Sequence, residues 1–180
     1  MAGDGRIRLF CALQLPEDAL DALVAWQDRE LQAAGGRPVP RANLHVTLAF
    51  LGARPAGELE AIAAELRAAS AAAAPAELRP RSYRETRSVG MIVCDDASGA
   101  ATAFAEDVQG RLERLGAYRR EARPWLPHVT VLRFRKPEGL RPEVANRCSI
   151  HVVRSALYRS ILGRGGARYE VLETAALGGS

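Results

Sequence analysis

Lysine is nearly missing from this chain: Lys136 is the one lysine among 25 basic residues, and arginine supplies the rest. Together with heavy use of alanine, this reads as a compositional bias, so an arginine counts as an anion ligand only where its neighbours support it. Cysteine is also scarce. Cys11, Cys94 and Cys148 make an odd number with no CxxC or Cys/His ligand spacing, which excludes a disulfide framework and a zinc site. Each lies in or near an apolar run, so three buried thiols are expected. No apolar run approaches the ~18 residues a membrane helix needs. Pro16 and Glu17 arrive too early for the apolar core of a signal peptide. A cytoplasmic protein without a membrane segment is the resulting expectation. Aromatics make up 6% and histidines number three, so every clustered histidine carries information.

What is present fits one folded unit. The 180 residues are 48% hydrophobic and 26% charged, enough for one domain or one two-lobed unit over residues 1–180 with a sizeable core. The net charge of +4 is compatible with an anionic partner. Residues 6–15 read as a buried strand. Residues 18–34 carry Leu20, Leu23, Val24, Trp26 and Leu31 near helical spacing, stopped by Gly35-Gly36. A Pro-containing loop leads to a strand over 44–51 closed by Gly52. A helix follows over 55–74, with Leu59, Ile62, Ala63 and Leu66 on one stripe. Two short strands over 77–83 and 90–94 precede a helix over 99–115, capped by Ser98 or a neighbour, with Phe104, Val108, Leu112 and Leu115 on its stripe. A strand over 128–135, a loop or short helix through Asn146, and a hairpin from strands over 148–162 and 167–175 complete the order, with frayed residues 178–180. This alternation predicts an α+β fold, with sheets partly covered by helices.

Two of the three histidines share one context, His45-Val46-Thr47-Leu48 and His128-Val129-Thr130-Val131. A duplicated half-domain explains the match. On a strand, side chains alternate between faces, so Val46 and Leu48 point one way and His45 and Thr47 the other. The second strand divides likewise, placing His128 and Thr130 together. Each strand then carries an imidazole and a hydroxyl about 6–7 Å apart on one face. Two such pairs across a cleft suit phosphodiester chemistry without a metal. One neutral imidazole takes a proton from water and one imidazolium protonates the leaving oxygen, each worth about 10²–10⁴-fold. The threonine hydroxyls can donate to the non-bridging phosphate oxygens. A histidine metal site lacks a third ligand at suitable spacing and a carboxylate on either strand.

The two tetrapeptides resemble the paired HxTx signatures of the 2H phosphoesterase superfamily. The flanks extend the resemblance: Ile7-Arg8-Leu9-Phe10-Cys11-Ala12-Leu13 before Leu15-Pro16, then Asn43 through Gly52, then Arg123-Pro124-Trp125-Leu126-Pro127 before His128. Together they look like the RNA 2′,3′-cyclic phosphodiesterase branch, first described as a 2′-5′ RNA ligase. Val131 stands where leucine is common, and Trp125-Leu126 replaces a more usual Phe-Arg. The resemblance implies a two-lobed, pseudo-symmetric fold, with antiparallel sheets flanked by helices around a central cleft. It also implies hydrolysis of RNA-terminal 2′,3′-cyclic phosphate to 2′-phosphate, with no cofactor and no metal. His45 would be the general acid and His128 the general base. Thr47 and Thr130 would be phosphate ligands, and RNA ends or nucleoside 2′,3′-cyclic phosphates the partners of a monomer. A 2′-5′ ligase, a 2′-5′ phosphodiesterase and an RNA-end-binding protein are the alternatives.

Other residues are weaker candidates. The resemblance places a phosphate-contacting arginine at Arg133, yet strict alternation turns that residue away from the Thr130 face unless a bulge intervenes. Arg41 precedes the first motif and reads as a surface charge within reach of a phosphate. Phe10, Trp125 and Tyr158 could stack a base, although each is expected in the core, Phe10 foremost. His151 has Val153 where a motif threonine would stand and reads as a strand histidine. Gly163-Arg164-Gly165-Gly166 lacks the P-loop spacing and reads as a hairpin turn.

Overall fold

The computed structural model describes residues 5–144 and 148–179. The end of the expected segment through Asn146, and Ser180, lie outside these. Among the described residues, nine strands and three helices follow in the order β1 (Arg6–Leu13), α1 (Glu17–Glu30), β2 (Arg37–Pro38), β3 (Val46–Pro55), α2 (Leu59–Ala72), β4 (Ala76–Glu85), β5 (Val89–Asp95), α3 (Ala100–Arg114), β6 (His128–Arg133), β7 (Ile150–Val152), β8 (Arg154–Gly163) and β9 (Gly166–Ala176). Single 3₁₀ turns precede β3 and α2. The α+β arrangement expected from the sequence is the one observed.

All strand pairings are antiparallel, in the spatial order β7-β4-β5-β6-β3-β1-β8-β9, with β2 beside β6. The order divides into two four-stranded halves, β7-β4-β5-β6 and β3-β1-β8-β9. They meet where Val46 pairs with Val129. The expected strand over 148–162 is in fact two strands that serve different halves. β7 pairs with β4 and β8 pairs with β1, with Val153 alone between them. One residue thus links one end of the strand order to the far half, which requires the sheet to curl into a half-barrel.

The helices follow from their apolar spacing. α1 begins after Pro16 with Glu17 and Asp18 in its first turn, where negative charge meets the helix dipole. Its face buries Leu23 and Trp26, and Leu31 is buried just past its end. α2 packs on α3 and on β8 and β9, through Ile62, Ala63 and Leu66. α3 packs on β3 and β4 through Phe104, Val108 and Leu112. Leu115 falls off that stripe, 41% exposed, because the helix ends before it. Gly99 starts α3 at φ 73°, and the Asp96 carboxylate accepts the Thr102 N–H at 2.7 Å and its hydroxyl at 2.8 Å. Ser98 contributes a longer bond to Ala100, at 3.3 Å.

β1 is covered on both faces. Leu9, Cys11 and Leu13 enter the main core under the helices, while Phe10 and Ala12 join Ala156 and Tyr158 in a second cluster on the opposite face. Gly52 does not end its strand. It lies inside β3 at φ 68°, at a bulge that the left-handed region permits to glycine. Cys11 and Cys94 are buried as expected, but Cys148 is exposed, because it lies ahead of β7 rather than within it. Among the described residues no helix is long and apolar enough to cross a membrane.

Candidate active site

Each motif strand begins with the same local bond. The ring Nδ1 of His45 donates to the Asn43 carbonyl at 2.8 Å, and that of His128 donates to the Leu126 carbonyl at 2.8 Å. A carbonyl only accepts, so Nδ1 carries the proton and Nε2 is the atom left for chemistry on both rings. The antiparallel register around Val46 and Val129 sets His45 opposite Thr130 and Thr47 opposite His128. The valines point into the core, each 0% exposed, so both imidazoles and both hydroxyls share the other face. The histidines are diagonal neighbours in this register, about 7–8 Å apart between Cα atoms.

Past the threonines both strands bulge at the same place. In β3, Ala12 pairs with Thr47 and Cys11 with Ala49, leaving Leu48 as the extra residue. In β6, Met91 pairs with Thr130 and Gly90 with Leu132, leaving Val131 as the extra residue. Both residues at each bulge therefore turn inward: Leu48 with Ala49, and Val131 with Leu132. Parity is reset, and Arg133 comes round to the Thr130 face, which unbroken alternation would forbid. Phe50 is its counterpart in β3, aimed into the same cleft and 52% exposed.

A bulge leaves carbonyls off the ladder, and buried ones need donors. Two buried glutamines add donors there, and the Val131 carbonyl also accepts the Val39 N–H at 3.0 Å. Gln109 of α3 donates to the Leu48 carbonyl at 2.8 Å. Gln27 of α1 donates to the Val131 carbonyl at 2.8 Å and to the Val39 carbonyl at 3.0 Å. The helix ahead of the second motif, α3, supports the first bulge, and the helix ahead of the first motif, α1, supports the second. Sequence reasoning singles out neither glutamine; a polar residue inside an apolar helical stripe is the signal that marks them.

The cleft has a volume of about 200 Å³ and is lined by His45, Thr47, Thr130 and Arg133 together with Phe10, Phe50, Arg37, Asn43 and Tyr169. His128 is partly exposed and is not part of that lining, yet it lies near enough that positive charge on it depresses the His45 pKa. The His45 Nε2 lies 2.9 Å from the Thr47 hydroxyl. Its ring sits against Phe10, at 4.9 Å between centroids, and meets Tyr169 edge-on at 5.5 Å. Burial pushes His45 down to about 4. The Asn43 carbonyl opposes this, and positive charge at His128 and Arg133 adds to it. His45 is therefore neutral near pH 7.

The rim is tied by residues outside the motifs. Arg37 donates to the Gly165 carbonyl at 2.6 Å and Asn43 to the Ala167 carbonyl at 2.8 Å, which holds the β8–β9 turn over the cleft. The Gly163–Gly166 segment is thus the expected hairpin turn and also part of the wall. Gly36 lets the Arg37 strand lie close: a Cβ there would stand 2.7 Å from the Arg133 carbonyl oxygen. Arg41 lies elsewhere, paired with Glu17 and Asp21. Trp125 packs against the core and donates to the Thr47 carbonyl at 2.9 Å, so its ring braces the first motif strand. Phe10 and Tyr158 are buried and stacked on each other at 4.9 Å. His151 is exposed on β7, far along the sheet order from the junction of β3 and β6. Among the described residues no group of three or more His, Cys, Asp or Glu side chains is gathered as a metal site.

The chain is similar to known proteins over nearly its full length. The family model for LigT-like phosphoesterases matches residues 13–83. The RNA 2′,3′-cyclic phosphodiesterase of Thermus thermophilus is 34% identical, with 96% of this chain and 91% of that protein covered. The Escherichia coli protein of the same name is 29% identical over 94% of this chain and 96% of that protein. A crystal structure from Thermus thermophilus superposes with a TM-score of 0.84 at 33% identity, covering 96% of this chain and 99% of that one. The Escherichia coli LigT structure in complex with 3′-AMP gives 0.82 at 26% identity, covering 96% and 98%. With matched histidine–threonine pairs meeting at the junction of two sheet halves, this chain belongs to the LigT-like 2H phosphoesterases, in the RNA 2′,3′-cyclic phosphodiesterase branch.

Proposed function

We propose that the protein hydrolyses the 2′,3′-cyclic phosphate at an RNA end to a 2′-phosphate, with His45 and His128 as the proton-transfer pair. Water attacks phosphorus, the bond to the ribose 3′-oxygen breaks, and that oxygen takes a proton. One imidazole removes the proton from water and the other delivers one to the 3′-oxygen. Thr47, Thr130 and Arg133 hold the non-bridging oxygens, where negative charge grows in the transition state. The observation that carries this reading is the crossed register, which sets both motif pairs on one face around Val46 and Val129. The names of the curated relatives agree with it. The proposal includes one two-lobed domain over residues 1–180, acting as a monomer in the cytoplasm. Sedimentation and cell fractionation check the last two points.

The test is product analysis with a chelator present. A nucleoside 2′,3′-cyclic phosphate is expected to yield the 2′-monophosphate alone. Turnover that stops in chelator and returns with a divalent ion would establish a metal enzyme instead. Formation of 2′-5′ linkages from defined RNA ends would establish the ligase.

Which histidine is acid and which is base admits a second reading, favoured by one observation. The family resemblance makes His45 the acid, but burial pushes the His45 imidazole down to about 4. A neutral imidazole is ready to act as the base. His45 is ready as the acid only after a bound phosphate returns its proton. A nucleotide p-nitrophenyl diester, whose leaving group needs no proton, separates the two. The variant lacking the acid keeps its activity on that diester, and the variant lacking the base does not.

A further inference from the structure

The cleft does not end at Arg133. A second, more open groove of about 780 Å³ adjoins it, and Arg37 and Arg133 line both. Its walls are the loop before β2, through Gly35 and Gly36, and the segment after β6, through Arg135 and Lys136. We propose that this groove is the track for the RNA strand on the 5′ side of the terminal nucleotide. The inference rests on the proposed reading of the cleft.

Charge carries the argument. Arg37, Arg133, Arg135 and Lys136 are exposed, and none has a carboxylate within ion-pair distance among the described residues. Elsewhere about half of the described arginines are in ion pairs, Arg41, Arg54, Arg67 and Arg111 among them, so it is the gathering of four unpaired cations in one groove that sets it apart. The groove holds one carboxylate, Glu138, which accepts the Gly35 N–H at 2.8 Å. Four cations against one anion, in a trough that opens from the phosphate site, match a run of phosphodiesters. The contacts would be to the backbone, so they position the strand without selecting bases.

Two substrates separate this track from the catalytic cleft: a mononucleoside 2′,3′-cyclic phosphate and a single-stranded oligoribonucleotide with the same terminus. In the R135A/K136A double variant, kcat/KM on the oligonucleotide is expected to fall about tenfold, while kcat/KM on the mononucleotide stays unchanged. The slope of log affinity against log salt for the oligonucleotide becomes less steep by about 0.7 per lost phosphate contact. The charge-preserving R135K/K136R variant retains wild-type behaviour. Equal losses on both substrates, or no loss on either, overturn the proposal. Should neither substrate be turned over, the reading of the cleft fails by itself. Fluorescence anisotropy with a 3′-phosphorylated oligonucleotide still decides the groove: weaker binding by the double variant upholds it, and equal binding refutes it.

Discussion

At the scale of single residues, position on a strand converts ordinary side chains into reagents. The Nδ1 bonds to Asn43 and Leu126 fix which nitrogen faces the cleft, and the valines between the motif residues anchor the strands from behind. His45→Ala and His128→Ala are each expected to cut turnover by about 10²-fold or more while leaving the circular dichroism spectrum intact. Retained turnover in either variant removes the paired acid–base scheme. The pairing of His45 and His128 is legible in the sequence because the motif repeats. Pattern alone does not place Arg133, since its parity points outward. The cysteines are less legible. Burial pushes Cys11 and Cys94 up to about 12, with Asp95 adding to the effect at Cys94, whereas Cys148 is exposed. A thiol reagent should therefore titrate one of the three cysteines in the native protein and all three in urea. Two or three reactive thiols under native conditions would contradict this burial.

At the scale of elements, the devices that matter are the matched bulges and the glutamines that satisfy them. Removing a donor from a buried carbonyl costs about 1–3 kcal/mol, so Gln109→Leu, which strips the Leu48 carbonyl, and Gln27→Leu, which strips the Val39 carbonyl, should each lower unfolding free energy by that amount. Gln27→Leu should also reduce kcat/KM, because the bulge it supports is the one that aims Arg133. Urea melts and steady-state kinetics check both statements. Unchanged stability in Gln109→Leu would mean that the Leu48 carbonyl is satisfied without it. Helix positions are legible from apolar spacing, with errors confined to the ends, as at Leu115. Bulges are not, because an extra residue in a strand changes neither composition nor hydrophobic content, only the register against a partner strand.

For the molecule as a whole, the two halves of the sheet divide the labour. The half containing β3, β1 and β8 presents an aromatic row, with Phe50 opposite Phe10 and Phe10 opposite Tyr158. The other half presents Arg133, with Arg37 beside it on β2. His45 lies between them, and its burial links the site to global stability. A histidine in the unfolded chain gains its proton near 6.5, whereas folded His45 resists until about 4. Between those values the unfolded chain binds more protons, so stability falls as pH drops through that window and levels off below it. The contribution is on the order of 1–3 kcal/mol. His45→Gln should be correspondingly less sensitive to acid between about pH 7 and pH 4.5. If wild type and variant lose the same unfolding free energy over that range, His45 is not held neutral by the fold.

Sequence alone determined the chemistry on offer: a repeated imidazole–hydroxyl pair on strands whose alternating valines had to face a core. It also determined the helices, whose apolar stripes are local in the chain. Tertiary structure decided which strand lies beside which, where β7 and β8 part at Val153, and which arginines meet the cleft. Those outcomes depend on contacts between residues distant in sequence, and on bulges visible only against a partner strand. No local pattern of residues can encode them by itself.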